Sequence, residues 1–339
     1  MNRVWIMARR PAGNDIASAL ELTEIPRATL KAGDVWLRNA YMSMDAGTRM
    51  WMTAREDSYQ PPLPVGSPVM GLVLGRVVES RHPDYQRGDL VRAFGQWADY
   101  SLVRPDEGVV TRVSWKLDDL RQHLGVFGFT GWTAYLGVVE TGNAKAGETF
   151  VVSAAAGALG CLAGQIARIL GCRVIGIAGS DDKCNWLRQE LGFDGAVNYK
   201  TQNVESELRA LCPGGINLYF ENVGGPVLDA ALPNMALYGR VVVSGLITGY
   251  SGENPVAGPR HFDLILMKRL MVKGFFIPDW FQRGPEYCIL LQPWYAAGKL
   301  KLPFDIINGL EQTVSAYTRL FTGANRGKCL VKVDNDFPS

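Results

Sequence analysis

The sequence predicts an α/β fold in which a β-rich N-terminal domain precedes a doubly wound parallel sheet. Residues 1–126 hold short runs of β-forming residues that Gly, Pro and Asp separate, and this spacing is typical of antiparallel, barrel-like domains. From Thr149 onward, strand-like and helix-like segments alternate, which is typical of a parallel sheet with helices on both faces. We therefore predict a β-rich domain over 1–126, a parallel-sheet domain over 127–296, and a C-terminal segment over 297–339 that packs back on the first domain.

Three segments of the first domain have the composition of strands. They are VWLRNAYMSM (35–44), LVLGRVVES (72–80) and LVRAFGQWADYSLV (90–103). Each is rich in Val, Leu, Met or aromatic residues, which favour the pleated surface of a sheet.

The second domain contains the alternating elements. Its predicted strands are 149–153, 173–178, 196–199, 216–221, 239–245 and 272–276. Its predicted helices are a segment that starts after the Gly-rich turn at 154–160, then 182–192, 203–211 and 226–235. In the first helix, apolar residues recur with the 3.6-residue helical period, and Gly171 is a plausible stop.

Composition places the chain among ordinary globular proteins. Its 339 residues include 47% hydrophobic and 20% charged side chains, which argues against disorder. Because 35 basic and 33 acidic residues leave a net charge of +2, we expect no nucleic-acid or membrane partner. We find no signal-peptide pattern, no apolar run of transmembrane length and no closely paired cysteines, so we expect a cytoplasmic protein.

The strongest chemical signal is the run AAAGALG at 154–160, between a predicted strand and a predicted helix. Its spacing is that of G-x-G-x-x-G with Ala155 in the first place, and Gly157 and Gly160 in the other two. Such a turn brings the backbone close to a pyrophosphate and places the phosphates on the helix N-terminus. We predict a dinucleotide site here, with Ala156 and Leu159 also among its contacts.

The end of the second strand predicts which dinucleotide is bound. NAD-binding proteins usually carry an acidic residue there, which binds the ribose hydroxyls. Here the strand ends in Ala178, Gly179 and Ser180, which leaves room for a 2′-phosphate, and Lys183 could neutralise that phosphate. Asp181 and Asp182 argue the other way, although both also suit the first turn of a helix. We predict NADPH as the cofactor.

Longer runs then identify a family. AAAGALGCLAGQIARILGCRVIGIAGSDDKC (154–184), LGFDGAVNYK (191–200), YFENVGGPVLDAAL (219–232) and GFTGWTAYLG (128–137) resemble the medium-chain dehydrogenase/reductase superfamily. The resemblance is to its zinc-independent branch, which contains prostaglandin reductases, plant double-bond reductases and the bacterial NADPH-dependent curcumin-reductase type. It implies a GroES-like catalytic domain, a Rossmann domain and a homodimer.

The resemblance also implies further cofactor contacts. Lys183 would contact the 2′-phosphate, and Tyr199 would lie near the adenosine phosphate end. Thr133 would face the nicotinamide end of the cofactor. The other contacts that it implies are Asn222, Gly245, Leu246, Phe275, Phe276, Ile277, Asn325 and Gly327.

The sequence argues against a zinc site. No cysteine precedes Cys161, and the three histidines are scattered, so the spacing of zinc ligands is missing. By position, Ser43–Met44 and Met70–Gly71–Leu72 stand where zinc-dependent members of the superfamily carry ligands. Asp45 and Arg49 are interpreted as a structural ion pair.

A protein with neither metal nor flavin can still reduce a conjugated C=C bond. Hydride addition at the β-carbon of an α,β-unsaturated carbonyl puts negative charge on the carbonyl oxygen, which hydrogen-bond donors can stabilise. The resemblance places Tyr250 near the nicotinamide and Tyr59 near the substrate, so we predict that they are the catalytic residues, with a small conjugated carbonyl as substrate. The source of the proton stays open between these tyrosines, bulk water and the nicotinamide ribose hydroxyl. Two alternatives stay open, a zinc-free quinone reductase and a non-catalytic NADPH-binding protein.

Overall fold

The computed structural model describes residues 1–56, 60–113, 117–252 and 258–337. The strands of these residues are β1 (Asn2–Met7), β2 (Leu20–Ile25), β3 (Val35–Ser43), β4 (Met70–Ser80), β5 (Leu90–Gln96), β6 (Tyr100–Val103), β7 (Val110–Arg112), β8 (Thr149–Val152), β9 (Arg173–Ala178), β10 (Gly195–Asn198), β11 (Ile216–Glu221), β12 (Met235–Val243), β13 (Met271–Gly274), β14 (Phe304–Asn308) and β15 (Lys328–Lys332).

The α-helices are mostly short and lie mainly between the strands of the second half of the chain. They are α1 (Thr48–Trp51), α2 (Phe129–Tyr135), α3 (Ala158–Ile169), α4 (Asp181–Gln189), α5 (Val204–Leu211), α6 (Gly225–Ala231), α7 (Asp263–Met267), α8 (Gly284–Ala296) and α9 (Thr313–Thr322). None of the helices in the described ranges is both long and apolar enough to cross a membrane.

The chain divides into two compact units. The first unit draws its described residues from Met1–Leu124, Tyr250–Glu253 and Phe304–Ser339. Its main sheet runs β14-β15-β3-β4-β5-β7, with β6 also beside β3. All of these neighbours are antiparallel except β14 and β15, which are parallel. A C-terminal strand therefore completes a sheet built mostly from the N-terminal region.

The second unit comprises Gly125–Gly249 and Asn254–Pro303, again as far as they are described. Its sheet has six parallel strands in the order β10-β9-β8-β11-β12-β13. The order runs outward in both directions from β8, which is the arrangement of a doubly wound sheet. Strands such as β8 and β9 are apolar and almost wholly buried, as helices on both faces require. The predicted α/β fold class is confirmed.

Two predicted elements differ from the structure in detail. The run 90–103 forms two strands instead of one, because β5 pairs with β4 whereas β6 pairs with β3. The predicted helix over 226–235 ends as an α-helix at Ala231, and Leu232–Asn234 continues as a 3-10 turn. Pro233 lies within that turn, and a proline cannot donate the backbone hydrogen bond that an α-helix needs.

Candidate functional site

The Gly-rich turn connects β8 to α3 at the centre of the parallel sheet. Gly157 precedes the first helical residue with an extended backbone, and no side chain caps the helix. The first turn of α3 carries no acidic residue, so the positive end of the helix dipole is not neutralised from within the helix. Backbone N–H groups and the dipole together favour an anion at this end of α3.

Steric contacts explain both glycines of the turn. A Cβ atom on Gly160 would lie 2.4 Å from the Ala154 carbonyl oxygen, and one on Gly157 would lie 3.2 Å from the same oxygen. The Gly157 N–H also donates to that oxygen at 2.9 Å. The turn therefore folds directly against the start of the helix, which only a residue without a side chain permits at position 160.

The first residue of the turn differs from the predicted motif register. Ala154, and not Ala155, has the left-handed conformation, with φ of 49°. Ala155 is fully buried, and its N–H donates to the Ile177 carbonyl at 2.9 Å. The tight bend thus occurs one residue earlier than the G-x-G-x-x-G spacing indicates. The sequence gives little sign of this, since neither alanine is a residue that favours a left-handed backbone.

A buried polar cluster lies at the ends of β8 and β11. The Ser153 hydroxyl donates to Glu221 Oε1 at 2.8 Å and accepts the Asn222 N–H at 2.7 Å. The same carboxylate oxygen accepts the N–H groups of Val223 and Gly224. Glu221 and Ser153 are fully buried. Sequence reasoning missed both residues, although a polar residue at the end of an otherwise apolar strand was a usable signal.

Asn222 is the member of this cluster that was predicted to contact the cofactor. Its Nδ2 donates to the Ser153 carbonyl at 2.8 Å, which fixes the side-chain amide. Its Oδ1 is buried and has no hydrogen-bond partner in the described part of the chain. A buried acceptor without a partner costs free energy unless a ligand or water satisfies it. This orphaned oxygen fits the prediction of a ligand with a hydrogen-bond donor.

The ends of β9 and β10 form the predicted adenosine side of the site. A Cβ atom on Gly179 would lie 2.9 Å from Cε1 of the Tyr199 ring, so the glycine makes room for that ring. Tyr199 is 44% exposed. The Ser180 hydroxyl caps α4 by accepting the Lys183 N–H at 3.3 Å. The structure thus brings these four predicted residues together.

Of the other predicted contacts of the second unit, Gly245, Leu246 and Phe275 follow strand ends, whereas Thr133 lies in helix α2. Gly245 donates its N–H to the Glu221 carbonyl at 3.1 Å, which joins the loop that also carries Leu246 to the end of β11. The Phe275 ring lies 6.4 Å from that of Phe220, between ring centroids. The Thr133 hydroxyl donates to the Phe129 carbonyl within its own helix at 2.6 Å.

Other predicted residues are placed as follows. Phe276 and Ile277 lie at the start of a 3-10 helix after β13. Ala156 lies in the Gly-rich turn, and Leu159 lies in the first turn of α3. Tyr250, Asn325 and Gly327 belong to the first unit, where Asn325 Nδ2 donates to the Gly327 carbonyl at 3.3 Å. Tyr59 lies outside the described residues. The cofactor and catalytic roles of all these residues stay predictions.

The positions that correspond to zinc ligands hold other side chains. A Cβ atom on Gly71 would lie 2.6 Å from Nε1 of Trp97, so the fully buried indole fills the space beside this glycine. Within the described ranges, no group of three or more His, Cys, Asp or Glu side chains could hold a metal ion. These residues do not fit a zinc ion.

The predicted Asp45–Arg49 ion pair is wrong. Asp45 instead pairs with Lys328 at 2.5 Å and accepts the Ser43 hydroxyl. The buried Arg49 guanidinium donates to the backbone carbonyls of Pro11 and Gly13, and desolvation lowers the pKa of Arg49. The four-residue spacing suggested a pair, but α1 is only one turn long and β15 supplies the cation from the other end of the chain.

Comparison with known proteins begins with two family matches. Residues 3–112 match a family described as the N-terminal domain of oxidoreductase. Residues 158–291 match a family described as zinc-binding dehydrogenase. The second match includes the last three residues of the Gly-rich turn and Glu221 and Asn222 of the polar cluster, whereas the described residues contain no group of His, Cys, Asp or Glu side chains that could hold a metal ion.

Individual relatives align over nearly the whole chain. The NADPH-dependent curcumin reductase of Escherichia coli is 38% identical over 99% of this chain and 98% of its own. The NADP(+)-dependent 2-alkenal reductase of Nicotiana tabacum is 40% identical over 92% of this chain and 93% of its own. The crystal structure of CurA in complex with NADPH from Vibrio vulnificus superposes with a TM-score of 0.91, at 34% identity, over 98% of this chain and 99% of that one.

Proposed function

Since the chain belongs to the medium-chain dehydrogenase/reductase family, we propose that it is an NADPH-dependent ene-reductase. It reduces the C=C bond of α,β-unsaturated carbonyl compounds, namely enones and enals. The observation that carries this conclusion is the alignment with NADPH-dependent reductases of curcumin and 2-alkenals at 38% and 40% identity, over more than nine-tenths of each chain.

The residues of the parallel-sheet unit fit NADPH. Gly157 and Gly160 shape the turn so that the N-terminus of α3 receives the pyrophosphate. Lys183 contacts the 2′-phosphate, Tyr199 lies near the adenosine phosphate end, and the orphaned Oδ1 of Asn222 accepts a hydrogen bond from the cofactor. When bound, NADPH supplies the hydride that adds to the β-carbon of the substrate.

The chain itself stabilises the charge that develops on the carbonyl oxygen. Tyr250 and Tyr59 are the proposed donors, because one neutral phenol can donate a hydrogen bond to that oxygen while another protonates the α-carbon, and water then returns the proton to the phenolate. Hydrogen-bond donation and orientation of the two reactants suffice for this step, since a conjugated carbonyl is already activated at its β-carbon.

The working unit is a homodimer formed through the edge of the parallel sheet. Strand β13 ends the sheet and has β12 as its only strand partner in the described residues. Its Met271 is 57% exposed, and Leu266 of the preceding α7 is 72% exposed. An exposed apolar edge strand is an unstable arrangement in a monomer, and pairing with a second copy across a two-fold axis covers it.

The protein acts in the cytoplasm. All six cysteines are thiols, and none of them forms a disulfide. Five of the six are buried, so these five serve as small apolar side chains of the core. Thiols of this kind are typical of a reducing compartment.

The test of the proposed activity follows NADPH oxidation at the nicotinamide absorbance with a panel of acceptors. The panel contains an enal, an aryl enone, a curcumin-like dienone, a quinone and a saturated ketone, with NADH run in parallel. We expect turnover of the conjugated carbonyls to saturated carbonyl products, faster with NADPH. Turnover of the quinone alone would identify a quinone reductase, and tight NADPH binding without turnover would identify a binding protein.

A further inference from the structure

Strands β9 and β10 end side by side at the edge of the site, with Asn198 in register with Ala178. The Asn198 Nδ2 group donates to Asp181 Oδ1 at 2.8 Å. This bond crosses from the last residue of β10 to the first residue of α4. Asp181 is one of the two acidic residues whose position after the second strand favours NAD over NADP as the cofactor.

Asn198 is held firmly enough to position its partner. The residue is 3% exposed. Its Oδ1 accepts the Lys200 N–H at 3.1 Å, and its own N–H donates to Gln202 Oε1 at 2.8 Å. With Oδ1 and Nδ2 both engaged, the amide cannot rotate without breaking a hydrogen bond. Asp181, by contrast, lies on an exposed position of α4, where a carboxylate would otherwise sample several rotamers.

The orientation of Asp181 matters for the choice between the two nicotinamide cofactors. A carboxylate at the end of the second strand binds the ribose 2′-hydroxyl of NAD, whereas it repels the 2′-phosphate of NADP. This chain keeps an aspartate in that region and still has the features of an NADPH enzyme. The conflict is resolved if the carboxylate is held toward β10.

We infer that Asn198 is a specificity-determining positioning residue, which rests on the proposed use of NADPH. By holding the Asp181 carboxylate at the end of β10, it keeps negative charge from turning toward the ribose 2′-position and leaves the 2′-phosphate to Lys183. The next residue, Tyr199, packs its ring against Gly179. Asn198 at the end of β10 and Tyr199 directly after it therefore both shape the segment that follows β9.

The test measures binding of two cofactor fragments by calorimetry. The ligands are 2′,5′-ADP, which carries the 2′-phosphate, and 5′-AMP, which lacks it. The proteins are the wild type, Asn198→Ala, Asp181→Asn and the double variant. Asp182→Asn, alone and combined with Asn198→Ala, is the matched control, since it removes a neighbouring charge of the same helix turn.

We expect the wild type to prefer 2′,5′-ADP, and Asn198→Ala to lower the ratio of the two affinities about tenfold, as for coupled neighbours. In the Asp181→Asn background, the same substitution should change the ratio by less than about twofold, because the released side chain has no charge. In the Asp182→Asn background, Asn198→Ala should still lower the ratio of the two affinities about tenfold. The NADPH-to-NADH ratio of kcat/KM should change in the same direction as the binding ratio.

Two results would overturn the inference while leaving NADPH use intact. One is an Asn198→Ala variant whose ratio of affinities for 2′,5′-ADP and 5′-AMP equals that of the wild type. The other is an Asn198→Ala substitution that lowers this ratio equally in the wild-type and Asp181→Asn backgrounds. A wild type that binds both fragments equally would instead overturn the assignment of NADPH itself. If Asn198→Ala does not fold, Asn198→Asp retains the acceptor for the Lys200 N–H but cannot donate to Asp181. Because the new carboxylate itself repels the 2′-phosphate, this variant is compared in the wild-type and Asp181→Asn backgrounds, and only a larger loss of the ratio with Asp181 present supports the inference.

Discussion

The carbonyl oxygen of Ala154 lies 2.4 Å from the point that a Cβ atom on Gly160 would occupy. Both groups belong to the backbone of the proposed pyrophosphate turn, so neither can move aside by changing a rotamer. The geometry of the turn and the packing of α3 on the sheet are therefore set by the same contact.

Gly160→Ala is expected to destabilise the protein by about 1–3 kcal/mol, the usual cost of overpacking, and to weaken NADPH binding. Thermal unfolding and calorimetric titration with NADPH measure the two effects. For stability, Gly157→Ala is the matched control, because its Cβ would lie 3.2 Å from the same oxygen and needs only a small shift. Equal losses of thermal stability in the two variants would contradict the steric explanation.

Ala154→Gly is expected to stabilise the protein by about 0.5 kcal/mol, because relief of a left-handed alanine exceeds the added entropy of the unfolded chain. Ala155→Gly should destabilise it, since Ala155 is fully buried and has no positive φ. Denaturant unfolding of both variants decides which residue makes the bend. If Ala154→Gly instead destabilised the protein and Ala155→Gly stabilised it, the bend would lie at Ala155, as the spacing of the sequence motif indicates.

Much of this site could be predicted from the sequence, because its signals are local. The strand, the Gly-rich turn and the helix follow one another within 149–170, Lys183 follows the end of the next strand, and the resemblance implied Tyr199 and Asn222. The structure added what joins distant segments. Glu221 hydrogen-bonds with Ser153 across two strands, and no local pattern connects residues that are 68 positions apart.

The same limit explains the errors. Asp45 and Arg49 have the spacing of a helical pair, yet Lys328 competes for the carboxylate from a strand that only the folded sheet brings near. Asn198 lacked a signal for a related reason. Its partner Asp181 lies beyond the other strand, and an asparagine at a strand end usually indicates a turn.

Ser153→Ala removes the acceptor of the Asn222 N–H and one donor to the buried Glu221 carboxylate. We expect a loss of about 1–3 kcal/mol of stability, since a buried donor then lacks a partner, together with weaker NADPH binding. Ser206→Ala, at an exposed hydroxyl that bonds within its own helix turn, should change stability by less than about 0.5 kcal/mol. Similar losses of stability in the two variants would contradict the stabilising role of the hydrogen bonds between Ser153, Glu221 and Asn222.

Burial of the thiols predicts which cysteine reacts first. Desolvation raises the pKa of Cys161 to about 12 and that of Cys212 to about 11. Because a raised pKa disfavours the reactive thiolate, Cys161 and Cys212 stay protonated near pH 8 and react slowly. Alkylation of the native protein should therefore begin at Cys288, which is half-buried, and mass spectrometry identifies the site. In concentrated guanidinium all six should react at similar rates, and rapid native labelling of Cys161 would contradict this prediction.

The edge strand β13 provides the test of the proposed dimer. Val272 is 46% exposed on this strand, and a lysine there places a charge where two edges would pair, a device that natural edge strands use against association. We expect Val272→Lys to shift the protein from dimer to monomer in light scattering coupled to size-exclusion chromatography. Ile289→Lys is the control, because Ile289 is 60% exposed on α8, outside the sheet. A dimer that survives Val272→Lys but dissociates in Ile289→Lys would place the interface on α8 instead.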